Sequence, residues 1–317
     1  MPSPRRPRRT SLATVVALAA LTLGCGAAPD DAPTTPPDPT SAAPAAPRTG
    51  SAAPGRAEPA RPTTPRALAT QLEAAERTIA GEAAAPAAVA EAGRRQQVAL
   101  RVLGARPAWD ARVRALVPRW VWRIAVPNLE SRRAFRSMHG ELARTLPAWR
   151  IVRPEAPQRL LAHYREAERR FGVDWEYLAA INLVETGMGR IRGTSVAGAQ
   201  GPMQFMPATW AAYGRGDVDD PRDAVLAAGR YLQAMGFRSG SRAAVDRALF
   251  RYNNHTAYVR GVRLLAEVMQ RRPRSYLGYH AWRVYYLTAR GDVLLPVGYA
   301  ERRPVPVGDY LRSHPQG

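Results

Sequence analysis

Lysine is missing from this 317-residue chain, and cysteine occurs once. All 46 basic residues are therefore arginines, set against 26 acidic residues for a formal net charge of +20. A lone cysteine, Cys25, excludes an internal disulfide. The five histidines, His139, His163, His255, His280 and His314, lie scattered without metal-ligand spacing, so neither a zinc site nor any other metal or cofactor is expected. No apolar run is long enough to span a bilayer, the best being Leu12 to Leu23. The arginines are dispersed and no nucleic-acid-binding motif accompanies them, so the positive charge reads as attraction to an anionic envelope and not as a nucleic-acid footprint. No internal repeat is present.

What is there begins with Arg5, Arg6, Arg8 and Arg9 ahead of the apolar run, the pattern of an export signal over residues 1–25. Cys25 directly follows that run and a glycine. This placement resembles a lipobox, which implies an acylated cysteine anchoring the exported chain at the outer face of the cytoplasmic membrane, within the cell wall; simple secretion is the alternative. Residues 26–65 shift to Ala, Pro, Thr and Ser, with too little apolar volume for a core, and read as a disordered Pro/Ala-rich linker. Extended, such a tether reaches on the order of 120 Å.

Residues 66–150 read as a helical extension, with helices over 66–80 and 86–103 and enough aromatic bulk beyond them, Trp109, Trp120, Trp122, Phe135 and Trp149, to pack into a unit. The segment carries no motif, which favours a scaffold or docking role. Residues 151–290 form the next domain. Leu160, Leu161, Tyr164, Ala167 and Phe171 make a helix-period stripe closed by Gly172, Asp220-Pro221 starts a helix that Gly236 stops, and Ser241 caps another. Further helices are expected over 258–269 and 276–287, leaving 291–317 as a C-terminal tail. The fold class is mainly α.

The chemistry concentrates in residues 174–210, DWEYLAAINLVETGMGRIRGTSVAGAQGPMQFMPATW. Asp174 suits an N-cap and Gly187 a helix stop, so Glu185 falls in the last helical turn. The carbonyl end of a helix disfavours an anion, and apolar neighbours such as Leu183, Val184 and Trp175 would add desolvation. A carboxyl so placed holds its proton towards neutral pH, as a general acid must. A merely solvated Glu at a helix end is the plainer alternative.

Glu185-Thr186, then GAQGPMQFMPATW at 198–210, then Tyr252-Asn253-Asn254, resembles the lytic transglycosylase family with the goose-lysozyme-like (SLT-type) catalytic domain. The resemblance implies a lysozyme-like domain over 151–290. It also implies cleavage of the β-1,4 bond between N-acetylmuramic acid and N-acetylglucosamine of peptidoglycan by a single acid, Glu185, with formation of a 1,6-anhydro end. By the same resemblance Tyr252 orients the acid, Gln204 binds sugar, and Thr186 and Asn253 contact substrate. Met203 and Phe205 suit either a sugar face or the core. Thr186 stands where the family has Ser, and Pro202 where it has Leu, which removes an amide donor.

Competing readings are a hydrolytic muramidase on the same fold and a noncatalytic wall-binding lipoprotein. Gly193 to Ala197 approaches a nucleophile elbow but lacks its second glycine. Asp217, Asp219, Asp220 and Asp223 miss the EF-hand spacing, and capping explains Asp220. The expected partners are peptidoglycan strands and, through Cys25, a membrane; the chain is expected to act as a monomer.

Overall fold

Thr64 opens the folded chain: its hydroxyl accepts the Ala67 N–H, and Pro65 takes the first helical position, where a missing N–H costs nothing. The computed structural model describes residues 58–316 apart from residue 196; the export signal, Cys25 and the linker up to residue 57 lie outside the described residues. Helix α1 (Pro65–Ala80) pairs with α2 (Pro86–Gly104), and the short α3 (Asp110–Leu116) closes their end. Leu68, Leu72, Ala99, Leu103 and Val113 bury there without exposed area to speak of.

Helix α4 (Arg119–Ser137) leads into α5 (Pro157–Phe171), α6 (Trp175–Thr186), α7 (Pro207–Tyr213), α8 (Pro221–Ala234), α9 (Arg242–Tyr252) and α10 (Thr256–Arg271). The glycine stops and Asp220 act as the sequence suggests, whereas Asp174 and Ser241 stand at the N-cap positions of α6 and α9 without a side-chain cap hydrogen bond. Gly172 and Gly187 end α5 and α6 in the left-handed conformation, at φ 66° and 61°, and the Asp220 side chain accepts the Asp223 N–H. The large core runs through α5, α6, α8, α9 and α10, with Tyr164, Leu178, Ile181, Leu232, Leu249 and Val262 buried.

The extension is no separate body. Ile124 of α4 belongs to the large core, Ser131 donates to the Gly261 carbonyl at 2.9 Å, and Phe135 lies flat enough on α10 that a Cβ at Gly261 would sit 2.4 Å from its ring. Gly93 of α2 likewise admits the backbone of Gly278.

The helix expected over 276–287 is a correction. Helix α11 (Ser275–His280) is short, and β4 (Val284–Thr288) follows it, paired antiparallel with β5 (Gly291–Leu295), Tyr286 opposite Val293. Val284, Tyr285 and Tyr286 are β-formers, and the turn Ala289-Arg290, followed by Gly291 at φ 98°, brings back the partner. The segment expected as a tail is therefore folded. Besides β5 it carries β6 (Val305–Pro306), paired with β1 (Thr145–Leu146), and α12 (Val307–Ser313). A third pair joins β2 (Arg150–Ile151) to β3 (Ile191–Arg192), just past Glu185. These strands share a small core of Leu146, Ile151, Ile191, Tyr286, Leu295 and Tyr310.

Candidate active site

The loop after β3 is closed by reciprocal backbone hydrogen bonds between Gln200 and Phe205, 2.9 and 2.8 Å long, so residues 201–204 form a tight turn. Gly201 has φ 70°, and a Cβ there would lie 2.0 Å from the Val218 carbonyl oxygen. Gln204 adopts φ 52°, an uncommon conformation for a side chain of its size, with its Nε2 donating to the Gly201 carbonyl at 2.9 Å.

Two carbonyls of this turn gather the rest. The Pro202 oxygen accepts the Thr186 hydroxyl at 2.6 Å and the Asn182 Nδ2 at 2.7 Å, tying the turn to the last turns of α6. Asn182 is itself held by the Tyr164 hydroxyl at 2.6 Å. The Met203 oxygen accepts the Tyr252 hydroxyl at 2.7 Å, tying the turn to the end of α9. Proline at 202 gives up a donor, but the group that matters here is its acceptor.

Glu185 sits in this junction with 4 % of its surface exposed, and Oε1 accepts the Tyr258 hydroxyl at 2.7 Å. Burial raises its pKa to about 7, and the Tyr258 hydrogen bond pulls the other way without winning. Arg190 secures the chain that leaves α6, donating to the Gly187 carbonyl at 2.8 Å and to the His280 carbonyl, a cation well placed at a helix C-terminus.

Several expected contacts fall elsewhere. The hydroxyl that meets Glu185 belongs to Tyr258, not Tyr252; the Tyr252 ring stacks on that of Tyr258, 6.5 Å between centroids, while its hydroxyl bonds Met203. Thr186 has no exposed surface, and its hydroxyl is committed inside, accepting the Gly189 N–H besides donating to Pro202. Met203 is fully buried, and Phe205 packs edge-on against Trp210 and beside Tyr252, so both are core residues. Gln204 keeps 8 % exposure; Asn253, at 4 %, caps the end of α9. The sequence reading missed Tyr258, and no spacing rule reaches it, because it stands on the next helix, where only the crossing of α10 over α6 brings it to Glu185.

The alternative chemistries find no support in the geometry. Ser195 Oγ accepts the Ala199 N–H and so ties a loop, and the Asp217–Asp223 cluster caps and turns backbone, with Asp217 and Asp223 accepting N–H bonds from Asp219 and Asp217. Among the described residues no three His, Cys, Asp or Glu side chains gather as a metal would require, and no helix is long and apolar enough to cross a membrane.

Fold and site thus define a mainly helical domain built around one buried carboxyl at a helix end, fastened to a glycine turn and a tyrosine pair. Residues 163–270 match the family described as "Transglycosylase SLT domain". The chain is also similar to a protein of Thiobacillus denitrificans named membrane-bound lytic murein transglycosylase F, 29 % identical over 152 residues, 47 % of this chain and 32 % of that protein. The chain spans about a third of the length of that curated relative. Among solved structures, the Escherichia coli lytic transglycosylase SLT35 in complex with bulgecin A aligns with 62 % of this chain and 92 % of its own at 17 % identity, with a TM-score of 0.33.

Proposed function

We propose that the chain is a peptidoglycan lytic transglycosylase in which Glu185 is both acid and base. The carrying observation is the Glu185 carboxyl, buried at the end of α6 inside the SLT domain, with its pKa raised to about 7 and a single hydroxyl donor on Oε1. A carboxyl with that pKa is protonated in a useful fraction near neutrality and, once it has given the proton up, is basic enough to take another. In the proposed reaction Glu185 protonates the glycosidic oxygen between N-acetylmuramic acid and N-acetylglucosamine as the anomeric C–O bond breaks. The carboxylate then removes the proton from the C6 hydroxyl of the same muramic residue, whose oxygen closes on the anomeric carbon. The proton returns to Glu185 and no water is consumed. An internal nucleophile suits such a site because its effective concentration far exceeds that of a free reactant.

Tyr258 holds the acid in position, Gln204 offers an amide to sugar, and Tyr252 fastens the turn that carries Gln204. Residues 66–150 brace the catalytic helices, and the strands after residue 284 complete the rear of that brace. Lipid anchoring through Cys25, with the enzyme acting at the cell wall, belongs to the same proposal; Cys25→Ser is expected to abolish labelled-palmitate uptake, and unchanged uptake removes the anchor.

Digestion of purified peptidoglycan followed by muropeptide mass spectrometry tests the reaction. Products lighter by one water and lacking a reducing end are expected. Reducing ends of full mass would make the enzyme a muramidase, and equal traces from wild type and Glu185→Gln would make the chain a wall-binding protein.

A further inference from the structure

A cavity of about 830 Å³ lies between α2, α4, the end of α6 and the β4–β5 hairpin. Its size falls in the range of small-molecule sites, roughly 300–1,000 Å³. Leu183, Val184 and Gly187 line it, so it abuts the same helical turn that carries Glu185. Apolar side chains, Val98, Phe135, Leu142 and Leu287 among them, make much of the wall, and among the described residues seven arginines line it against Glu58 and Asp292.

The charges inside are unevenly matched. Arg101 and Arg132 both reach the same Asp292 oxygen, Oδ2, at 2.6 Å, while the buried Oδ1 has no hydrogen-bond partner among the described residues, nor has the Nε of Arg133, whose terminal nitrogens pair with Asp110 at 2.7 and 2.9 Å. Arg101 also lies over the Tyr285 ring, 3.9 Å from its centroid, and Tyr285 donates to Glu58 at 2.6 Å. Burial first, and then the repulsion of Arg132, lower the Arg101 pKa to about 9. Among the described residues guanidinium groups outnumber carboxylates in the lining, and a planar guanidinium fork matches a planar carboxylate.

We propose that this cavity binds a terminal carboxylate of the short peptides that peptidoglycan carries, with the apolar part of the peptide against the Phe135 and Leu287 walls. The inference rests on the functional reading above and deepens it, because such a peptide belongs to the polymer that Glu185 is proposed to cut. Apolar walls with a cationic end suit a ligand that is part apolar and ends in a carboxylate; inorganic phosphate matches only the charge.

The test is calorimetry on the full chain with a synthetic wall peptide ending in a free carboxylate, its amidated counterpart, inorganic phosphate, and vesicles of anionic phospholipid. The free-acid peptide is expected to bind about tenfold more tightly than the amide, the scale of one charge-assisted hydrogen-bond pair. Arg132→Gln is expected to erase that difference. Arg136→Glu, at the exposed rim where folding is least at risk, is expected to weaken the free-acid peptide alone, and Arg247→Gln on α9, outside the cavity, to leave it unchanged. Equal binding of acid and amide, or tighter binding of phosphate or vesicles, overturns the proposal. A second measurement compares KM on strands with their peptides and strands stripped of them. Lower KM on the former is expected, and equal values sink the peptide site while leaving the transglycosylase reading intact. Peptide binding by a chain that cuts no glycan does the reverse.

Discussion

Glu185 and Tyr258 form a pair whose two members act on the proton in opposite directions. Burial holds the carboxyl protonated, while the hydroxyl favours its anion, and the balance leaves the pKa at about 7. Replacing Glu185 by Gln keeps the shape and removes the exchangeable proton, so kcat is expected to fall roughly 10²–10⁴-fold while wall binding persists. Tyr258→Phe removes the one influence that lowers the carboxyl pKa. The limb of the pH–rate profile that reports Glu185 is therefore expected to move to higher pH, and kcat to drop by less than in Glu185→Gln. Tyr252→Phe instead unties the Met203 carbonyl, and its profile is expected to keep the wild-type limb. If both tyrosine variants shift the limb alike, Tyr258 has no special hold on the acid. At Gly201 the constraint is steric: φ 70° and a Cβ position 2.0 Å from the Val218 carbonyl leave no room for a side chain. Gly201→Ala is expected to cost at least about 2 kcal/mol by chemical denaturation, since neither backbone can move without opening the turn.

At the scale of elements, the junctions matter more than the elements themselves. Helices α1, α2, α5, α6, α8 and α9 were legible because each carries its own punctuation, a proline, serine or aspartate at the start or a glycine just past the end, and an apolar stripe between; α10, capped by His255 and followed by Arg272, was legible from its stripe. Strand β4 was not, because Tyr276, Tyr279 and Tyr286 recur at a spacing a helix also satisfies, and the partner that decides for a strand, β5, lies in a segment with little pattern of its own. The two-residue strands β1, β2, β3 and β6 are defined wholly by distant partners. The site divides the same way. Glu185, Gln204 and the glycine turn could be read from motifs in line, but the inward use of Thr186 and the contact of Tyr258 depend on how α6, α10 and the turn cross. The α4–α10 crossing offers a direct check on how the extension joins the rest. Gly261→Leu would drive a side chain into the Phe135 ring, and Phe135→Ala would leave a void beside Tyr258 worth about 3–5 kcal/mol. Both are expected to lower the thermal midpoint. A fragment of residues 151–317 is expected to aggregate, because it bares the α10 face that α4 covers; a soluble, cooperatively unfolding fragment would make the extension a separate domain after all.

Over the whole molecule, the same burial that tunes the acid makes stability depend on pH. Glu76 of α1 is a second buried carboxyl, 2 % exposed, accepting from Gln96 Nε2 at 2.8 Å, and burial raises its pKa to about 7 against the weaker pull of that hydrogen bond and of Arg272. Gln96 in turn accepts the Trp282 N–H at 3.0 Å, so Glu76 stands at the seam between the extension and the segment leading into β4. Burial favours the protonated form of both carboxyls, and unfolding returns each to an ordinary pKa near 4.5, so that it gives its proton to solvent. Their contribution is complete below about 4.5 and is lost as pH rises through about 7, each worth on the order of 3 kcal/mol. His280 runs the other way. Its ring N–H meets the Glu155 carbonyl at 2.8 Å and burial lowers its pKa to about 4, so its contribution is full above about 6.5 and is lost as pH falls. Burial also raises the Glu176 carboxyl and lowers the His139 imidazole, so three carboxyls stand against two imidazoles, and the thermal midpoint is expected to fall between pH 5 and pH 7. Glu76→Gln keeps an oxygen for Gln96 but has no proton to lose, so the remaining carboxyl and imidazole contributions nearly cancel and its midpoint is expected to change little over the same interval. A variant that follows the wild-type curve point for point would mean that the seam holds Glu76 with an ordinary proton affinity, and that the pH response belongs to the other buried groups.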